Sequence, residues 1–116
     1  MAATELQAIV RFQFHDGHVE EFKRLSAQCM DIVRTQDTGT LQYDTYFNDD
    51  ETDCIVIERF RDSDALLEHS ENLAHLMEAI IATGSVSGEL LGEPSAELRA
   101  RLTGSPVRLF TPWATM

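Results

Sequence analysis

The hydrophobic pattern near the start of the chain changes its period once, from two residues to between three and four. Residues 6–14, LQAIVRFQF, alternate apolar and polar positions, which predicts a β-strand. From residue 18 to about residue 36 the apolar residues recur at helical spacing, which predicts an amphipathic helix with one buried stripe. The residues that the strand turns to one face are Leu6, Ala8, Val10, Phe12 and Phe14.

Two further strands and a second helix follow along the chain. Residues 40–47 and 54–61 alternate again, and the six residues between them have a length typical of a hairpin loop. Helical spacing then returns and continues to Gly84, with an interruption expected near Asn72. The segment 85–92, SVSGELLG, predicts a fourth strand.

The predicted order of elements is β-α-β-β-α-β, the split βαβ arrangement of a ferredoxin-like α+β fold. Both helices of this arrangement cover one face of an antiparallel sheet, and residues 1–93 carry it as one domain. Residues 94–116 add a short helix, which Pro94 and Ser95 begin, and an extended arm over 107–110. We expect this arm to belong to the same domain and to pack against the sheet edge or a partner chain.

The sheet face away from the helices is predicted to carry Ile9, Ile55 and Ile57. An antiparallel sheet that is open to water on one side normally places apolar residues inward and polar residues outward. Isoleucines among glutamines and arginines on the second face therefore indicate that something covers it. An identical sheet is the simplest cover, so we expect a two-fold homodimer that closes sheet to sheet.

Charge and composition exclude several classes of partner. Nine basic and twenty acidic residues give a formal net charge of −11, whereas nucleic acids and anionic membranes are bound through clustered Lys and Arg. We expect neither as a partner. No segment approaches the roughly twenty apolar residues that span a bilayer, and the first residues lack a secretory pattern. Cys29 and Cys54 lie in apolar segments, as buried free thiols of a cytoplasmic protein do.

The hairpin loop carries four carboxylates between residues 49 and 53, and these have the composition of a cation site. A calcium loop that begins at Asp49 would need Gly and Glu where Cys54 and Phe60 stand. The position between two strands is typical of a charged, solvated hairpin tip. We therefore expect a tip rather than a metal site.

Neither the histidines nor the glycines of the sequence form a pattern typical of a metal or cofactor site. His15 and His18 flank a turn without a third ligand nearby, and His69 and His75 point to different sides of the second helix. The sequence contains no glycine-rich phosphate loop and no Gly-x-Ser-x-Gly motif. We expect neither a metal nor an organic cofactor.

Five polar residues lie on surfaces that are otherwise apolar. They are His69 on the second helix, Glu58 in the third strand, Tyr43 and Tyr46 on the second strand, and Asn48 at its end. Each alone is explained by burial with a polar partner, but together they are typical of a small-molecule pocket. We expect His69, Glu58 and Tyr43 to be catalytic, since an imidazole with a pKa near 6.5 accepts a proton at neutral pH. The residues expected to contact the substrate are Asn48, Phe12 and Phe60.

The stretch GTLQYDTYFNDDETDCIVIERFRDSDALLEHSEN resembles the core of antibiotic biosynthesis monooxygenase (ABM) domains. That pattern is a Gly-x-Leu-x-Tyr strand, a short acidic loop, an apolar strand that ends in Glu-x-aromatic, an Asp, and a His on the next helix. The matching residues are Gly39, Leu41, Tyr43, Glu58, Phe60, Asp62 and His69. The segment FQFHDGHVEEFKRL is similar to the family's first strand-to-helix junction, and the resemblance covers about residues 5–92.

This resemblance implies a dimeric α+β barrel and cofactor-independent oxygenation of a small phenolic or quinol-type aromatic by O₂. The deprotonated substrate passes an electron to O₂ in such enzymes, so the protein needs only a pocket and a proton-handling residue. Haem-degrading relatives use Asn, Trp and His at positions that Val10, His69 and Ala79 occupy here, which disfavours haem degradation. The alternative is a non-catalytic dimeric module of the same fold, which binds a small aromatic or only assembles.

Overall fold

The computed structural model describes residues 4–116, which form a mixed α+β fold in which the predicted β-α-β-β-α-β order is followed by a third helix and a fifth strand. The elements are β1 (Leu6–Phe14), α1 (Val19–Gln36), β2 (Thr40–Phe47), β3 (Asp53–Phe60), α2 (Ser63–Ile81), β4 (Gly84–Leu91), α3 (Ala96–Leu102) and β5 (Val107–Phe110). The α+β class and the ferredoxin-like arrangement predicted from the hydrophobic pattern are confirmed.

The five strands form one open sheet in the order β2-β3-β1-β4-β5. β1 pairs antiparallel with β3 and β4, β2 pairs antiparallel with β3, and β5 pairs parallel with β4 at the edge. Phe22 of α1 and Leu73 of α2 pack with Phe12 and Val56 of the sheet in one buried cluster. Alternate residues of each strand therefore face the helices, and the others face away.

Helix α2 runs without interruption through Asn72, so the expected break is wrong. Asparagine disfavours helices when its side chain competes for nearby backbone groups. Here its amide nitrogen instead donates a hydrogen bond of 2.8 Å to the Asp37 carboxylate at the end of α1. Asp62 caps the N-terminus of the helix, and its side chain accepts a hydrogen bond from the Ala65 amide. No helix within residues 4–116 has the length and apolar character needed to cross a membrane.

The acidic hairpin tip is mostly solvated, as expected. Asp49 and Asp50 are exposed. Glu51 has a positive φ of 57°, which carries the chain around the turn, and its carboxylate lies 2.8 Å from the Lys23 ammonium group on α1. One ion pair thus connects the tip to the first helix.

The sheet face away from the helices carries the three isoleucines together. Ile9 lies directly opposite Ile57. Ile55 is 39% exposed, and its β2 neighbour Tyr46 is 56% exposed. The register therefore places Ile9, Ile55 and Ile57 on a single face that remains partly open in one chain.

The C-terminal segment packs against the sheet and pairs with its edge. Ser95 caps the N-terminus of α3, where its hydroxyl accepts a hydrogen bond from the Leu98 amide. Leu98 is only 2% exposed and packs in a buried cluster with Leu6, Phe60 and Leu90. The arm expected over 107–110 is β5, which extends the sheet at its edge.

We expect Leu98→Ala to lower the free energy of unfolding by about 2–4 kcal/mol, because it leaves a cavity in this cluster. Trp113→Ala is the control. Its indole is 98% exposed, so the change should stay within about 0.5 kcal/mol. Urea denaturation of both variants measures the difference, and equal, small effects would mean that the segment does not stabilise the domain.

Candidate functional site

A cavity of about 360 Å³ lies between the sheet and the two long helices. Its floor includes Ala8, Val10 and Val56, and its roof includes Phe22 and Leu73. These residues point inward because strand alternation and the buried helical stripes meet at this face. The polar wall is formed by Tyr43, Glu58 and His69.

Asp37 holds the His69 ring in place. Residue 37 is the C-terminal cap of α1, where the backbone turns from helical to extended geometry. This turn directs the carboxylate under α2, and its Oδ2 atom lies 2.7 Å from Nδ1 of His69. The side chains of Asp37 and His69 are 1% and 8% exposed. The hydrogen bond is therefore shielded from water.

Three side-chain donors surround the Asp37 carboxylate. Besides His69, the Thr40 hydroxyl donates to Oδ2 at 2.7 Å and the Asn72 amide donates to Oδ1 at 2.8 Å. Burial tends to raise the pKa of Asp37, but the hydrogen bonds from Asn72, Thr40 and His69 outweigh it and leave the pKa lowered. The group is ionised at neutral pH, so the imidazole carries its proton on Nδ1 and leaves Nε2 free to accept one.

Burial lowers the pKa of His69, and the attraction of Asp37 offsets this only in part. The imidazole is therefore neutral near pH 7. Its Nε2 atom lies 3.5 Å from Oε1 of Glu58, whose side chain is 14% exposed. Burial, and then the charge of Asp37, raise the pKa of Glu58 to about 8. The pair is thus a neutral carboxylic acid beside a neutral base rather than an ion pair.

Aromatic residues pack on two sides of the imidazole. The ring centroid of Tyr43 lies 5.4 Å from that of His69, and the centroid of Phe60 lies 5.0 Å away. Burial, followed by the neighbouring Cys29 and Glu58, raises the pKa of Tyr43, so its phenol remains a hydrogen-bond donor. Burial also raises the pKa of Cys29, which keeps it a thiol.

The structure brings together most of the residues that the sequence suggested. Tyr43, Glu58, His69 and Phe12 line the cavity. Phe60 is fully buried against the His69 ring and supports it without lining the cavity. Asn48, expected to contact substrate, does not line this cavity. It is exposed at the hairpin loop, where its Oδ1 accepts from the Asp53 amide at 3.0 Å and stabilises the turn.

Sequence reasoning missed Asp37, Thr40 and Asn72. One signal was available for Asp37, because a carboxylate at a helix C-terminus is unfavourable beside the negative end of the helix dipole. Residue 37 follows the last turn of α1 and is nearly buried, so a compensating partner was required. Asn72 was noticed only as a helix breaker.

We expect Glu58→Gln to flatten the pH dependence of stability between pH 6.5 and 8. In this window the unfolded chain has released the Glu58 proton, whose ordinary pKa is 4.5, whereas the folded protein releases it only as the pH approaches about 8. The folded wild type binds more protons than the unfolded chain, so its stability falls as the pH rises. Relative to the variant, it should lose about 1.7 kcal/mol across the window, because the slope is about 1.4 kcal/mol per pH unit at pH 6.5 and falls to about half of that at pH 8.

The window is chosen so that His69 contributes little. The fold lowers the pKa of His69 from 6.5, so His69 changes the stability mainly at pH values below 6.5. There its contribution makes stability rise with pH, which is opposite in sign to the contribution of Glu58. Urea denaturation at several pH values measures the difference, with the exposed Glu71→Gln as control. Curves for wild type and Glu58→Gln that run parallel would show that Glu58 is ionised in the folded protein.

Comparisons with known proteins agree with this fold. Three solved structures are similar across most of their length. MupZ from Pseudomonas fluorescens is 24% identical, with a TM-score of 0.86, 100% of this chain covered and 91% of that one. Rv0793 from Mycobacterium tuberculosis is 20% identical, with a TM-score of 0.70, and the match covers 79% of this chain and 97% of Rv0793. SnoaB, a cofactor-independent oxygenase from Streptomyces nogalater, is 18% identical, with a TM-score of 0.68. The match covers 81% of this chain and 97% of SnoaB.

These identities indicate a shared fold, and no curated protein matches the sequence. The Antibiotic biosynthesis monooxygenase family, by contrast, matches residues 6–79, which span β1 to most of α2 and include Asp37, Tyr43, Glu58 and His69. That match covers more than half of the chain and supports an oxidoreductase role. The chain therefore belongs to the antibiotic biosynthesis monooxygenase family.

Proposed function

We propose that this protein is a cofactor-independent monooxygenase that uses O₂ to oxygenate a small phenolic or quinol-type aromatic. The observation that carries the proposal is the neutral His69 imidazole, held by Asp37 at the polar wall of an apolar cavity. A phenol fits such a site, since its ring needs apolar walls and its hydroxyl needs a base. Family membership supports the use of O₂.

The proposed reaction converts a phenol and O₂ into a quinone and water. Nε2 of His69 takes the phenolic proton, and the phenolate passes one electron to O₂, which gives a phenoxyl radical and superoxide. Their combination forms a carbon–oxygen bond, and the imidazolium returns its proton to the peroxide. The O–O bond then breaks as the ring carbon loses its proton and forms a carbonyl group, and the Glu58 proton converts the departing hydroxide to water.

Glu58 suits the last step because it holds a proton at neutral pH. Its pKa of about 8 allows it to donate to hydroxide, and the resulting carboxylate can accept the proton that leaves the ring carbon. Tyr43 lies beside the imidazole, where its hydroxyl can orient the substrate. The apolar walls exclude water that would otherwise intercept the radical pair.

A second candidate function is acid–base catalysis without O₂, such as an isomerisation in which one proton is removed and another is delivered. One observation favours it: a carboxylic acid and an imidazole base lie 3.5 Å apart, each in the protonation state that such a reaction needs. Oxygen consumption separates the two functions, because only the oxygenase requires O₂.

We also propose that the protein acts as a homodimer. Ile9, Ile55 and Ile57 share the open face of the sheet, and the same face of a second chain is a self-complementary cover. Because strand residues alternate, β3 turns Ile57 toward this face and Glu58 toward the cavity. The dimer would thus brace the strand that carries Glu58.

We expect the purified protein to consume O₂ with a panel of hydroquinones and naphthols, without added metal, flavin or nicotinamide. His69→Ala should lower kcat by roughly a hundredfold, the loss typical of removing a general base. His75→Ala, an exposed change on the same helix, should leave the rate unchanged. Product formation without O₂ consumption would contradict the oxygenase function and support acid–base catalysis without O₂.

We expect light scattering at micromolar concentration to give twice the chain mass of 13.1 kDa. Ile57→Asp should dissociate or unfold the protein, because a dimer would bury its unpaired charge. Ala74→Asp places the same charge on the exposed side of α2 and should leave the mass unchanged. A wild-type mass of a single chain would contradict the dimer.

A further inference from the structure

The C-terminal segment forms one wall of the cavity. Leu98 and Leu102 of α3 and Pro106 and Val107 at the start of β5 line it. All four lie beyond residues 6–79, the part that matches the family. This wall of the cavity is therefore formed by a part of the chain outside the stretch that matches the family.

The cavity extends across four strands. Val56 on β3 lies opposite Val10, Val10 opposite Gly88, and Gly88 opposite Val107 on β5. Three strand spacings of about 4.8 Å separate β3 from β5, a span of about 14 Å. Glu58 lies on β3 at one side of this span, and Val107 lies on β5 at the other side. A molecule that reaches from Glu58 to Val107 is therefore elongated.

Arg101 on α3 is the one permanent cation among the described residues that line the cavity. Its side chain is 53% exposed, and its ion-pair partner within residues 4–116 is Glu97, at 3.5 Å, whose side chain is 64% exposed. An exposed pair at this distance contributes little and is easily exchanged for another anion. Arg101 therefore stands at the C-terminal end of an apolar cavity with its hydrogen-bonding capacity largely unused.

We propose that the substrate is an elongated apolar molecule with its reacting group at His69 and an anionic group, a carboxylate or phosphate, bound by Arg101. The position of the reacting group rests on the function proposed above. The planar guanidinium donates two parallel hydrogen bonds to either anion, which sets orientation as well as affinity. A formal net charge of −11 repels anions elsewhere on this chain, so such a substrate needs a local cation.

Calorimetric binding without O₂ tests this assignment independently of turnover. The probes are naphthols that carry an alkyl chain long enough to reach about 14 Å, ending in a carboxylate, a phosphate or a neutral methyl ester. Wild type should bind at least one anion about tenfold to a hundredfold more tightly than the ester, as expected for charge-assisted hydrogen bonds. The anion with the larger gain identifies the natural group.

Two arginine variants on the same helix locate the effect. Arg101→Gln should abolish the preference for the anionic probe and leave ester binding unchanged. Arg99→Gln should retain the preference, because Arg99 pairs with Glu93 at 3.1 Å and does not line the cavity.

Equal binding of acid and ester by wild type, equal preference in the two variants, or no binding of any probe would overturn the proposal. Arg101-dependent binding without O₂ consumption in air would support the substrate assignment while rejecting the oxygenase.

Discussion

The hydrogen bond between Asp37 and His69 is the interaction on which the site depends. It joins the end of α1 to the middle of α2, and Asn72 strengthens the same connection from the next turn of the helix. A buried carboxylate without these donors would carry a large desolvation cost. The bond therefore sets the ring orientation, the tautomer and the distance between the end of α1 and α2 at the same time.

This interaction also determines the protonation of its neighbours. The charge of Asp37 adds to burial in raising the pKa of Glu58, while burial lowers the pKa of His69. One fixed negative charge in a site of low polarity thus gives a neutral base and a neutral acid within a few ångströms. An exposed glutamate would be ionised at neutral pH, so no neutral acid would lie beside the imidazole base.

The fold could be predicted from the sequence because each element shows its own period. The strand over 6–14 and the arm over 107–110 were predicted at the positions they occupy. The site could be predicted only in part. Glu58, Tyr43 and His69 interrupt apolar patterns and were therefore visible. Asp37 lies in a connection without periodicity, and the contact of Asn72 spans 35 residues, a separation that local patterns do not encode. Asn48 was expected at the cavity because it is a polar residue at a strand end. Such a residue more often stabilises the turn, as Asn48 does here.

The C-terminal wall has a consequence for the electrostatics of residues that it does not touch. Leu98, Leu102 and Val107 give the cavity an apolar surface, and Glu58 lines the same cavity. The raised pKa of Glu58 has burial as its main cause. Apolar side chains of α3 and β5 thus add to the low polarity of the cavity, and low polarity favours the neutral form of a carboxyl group.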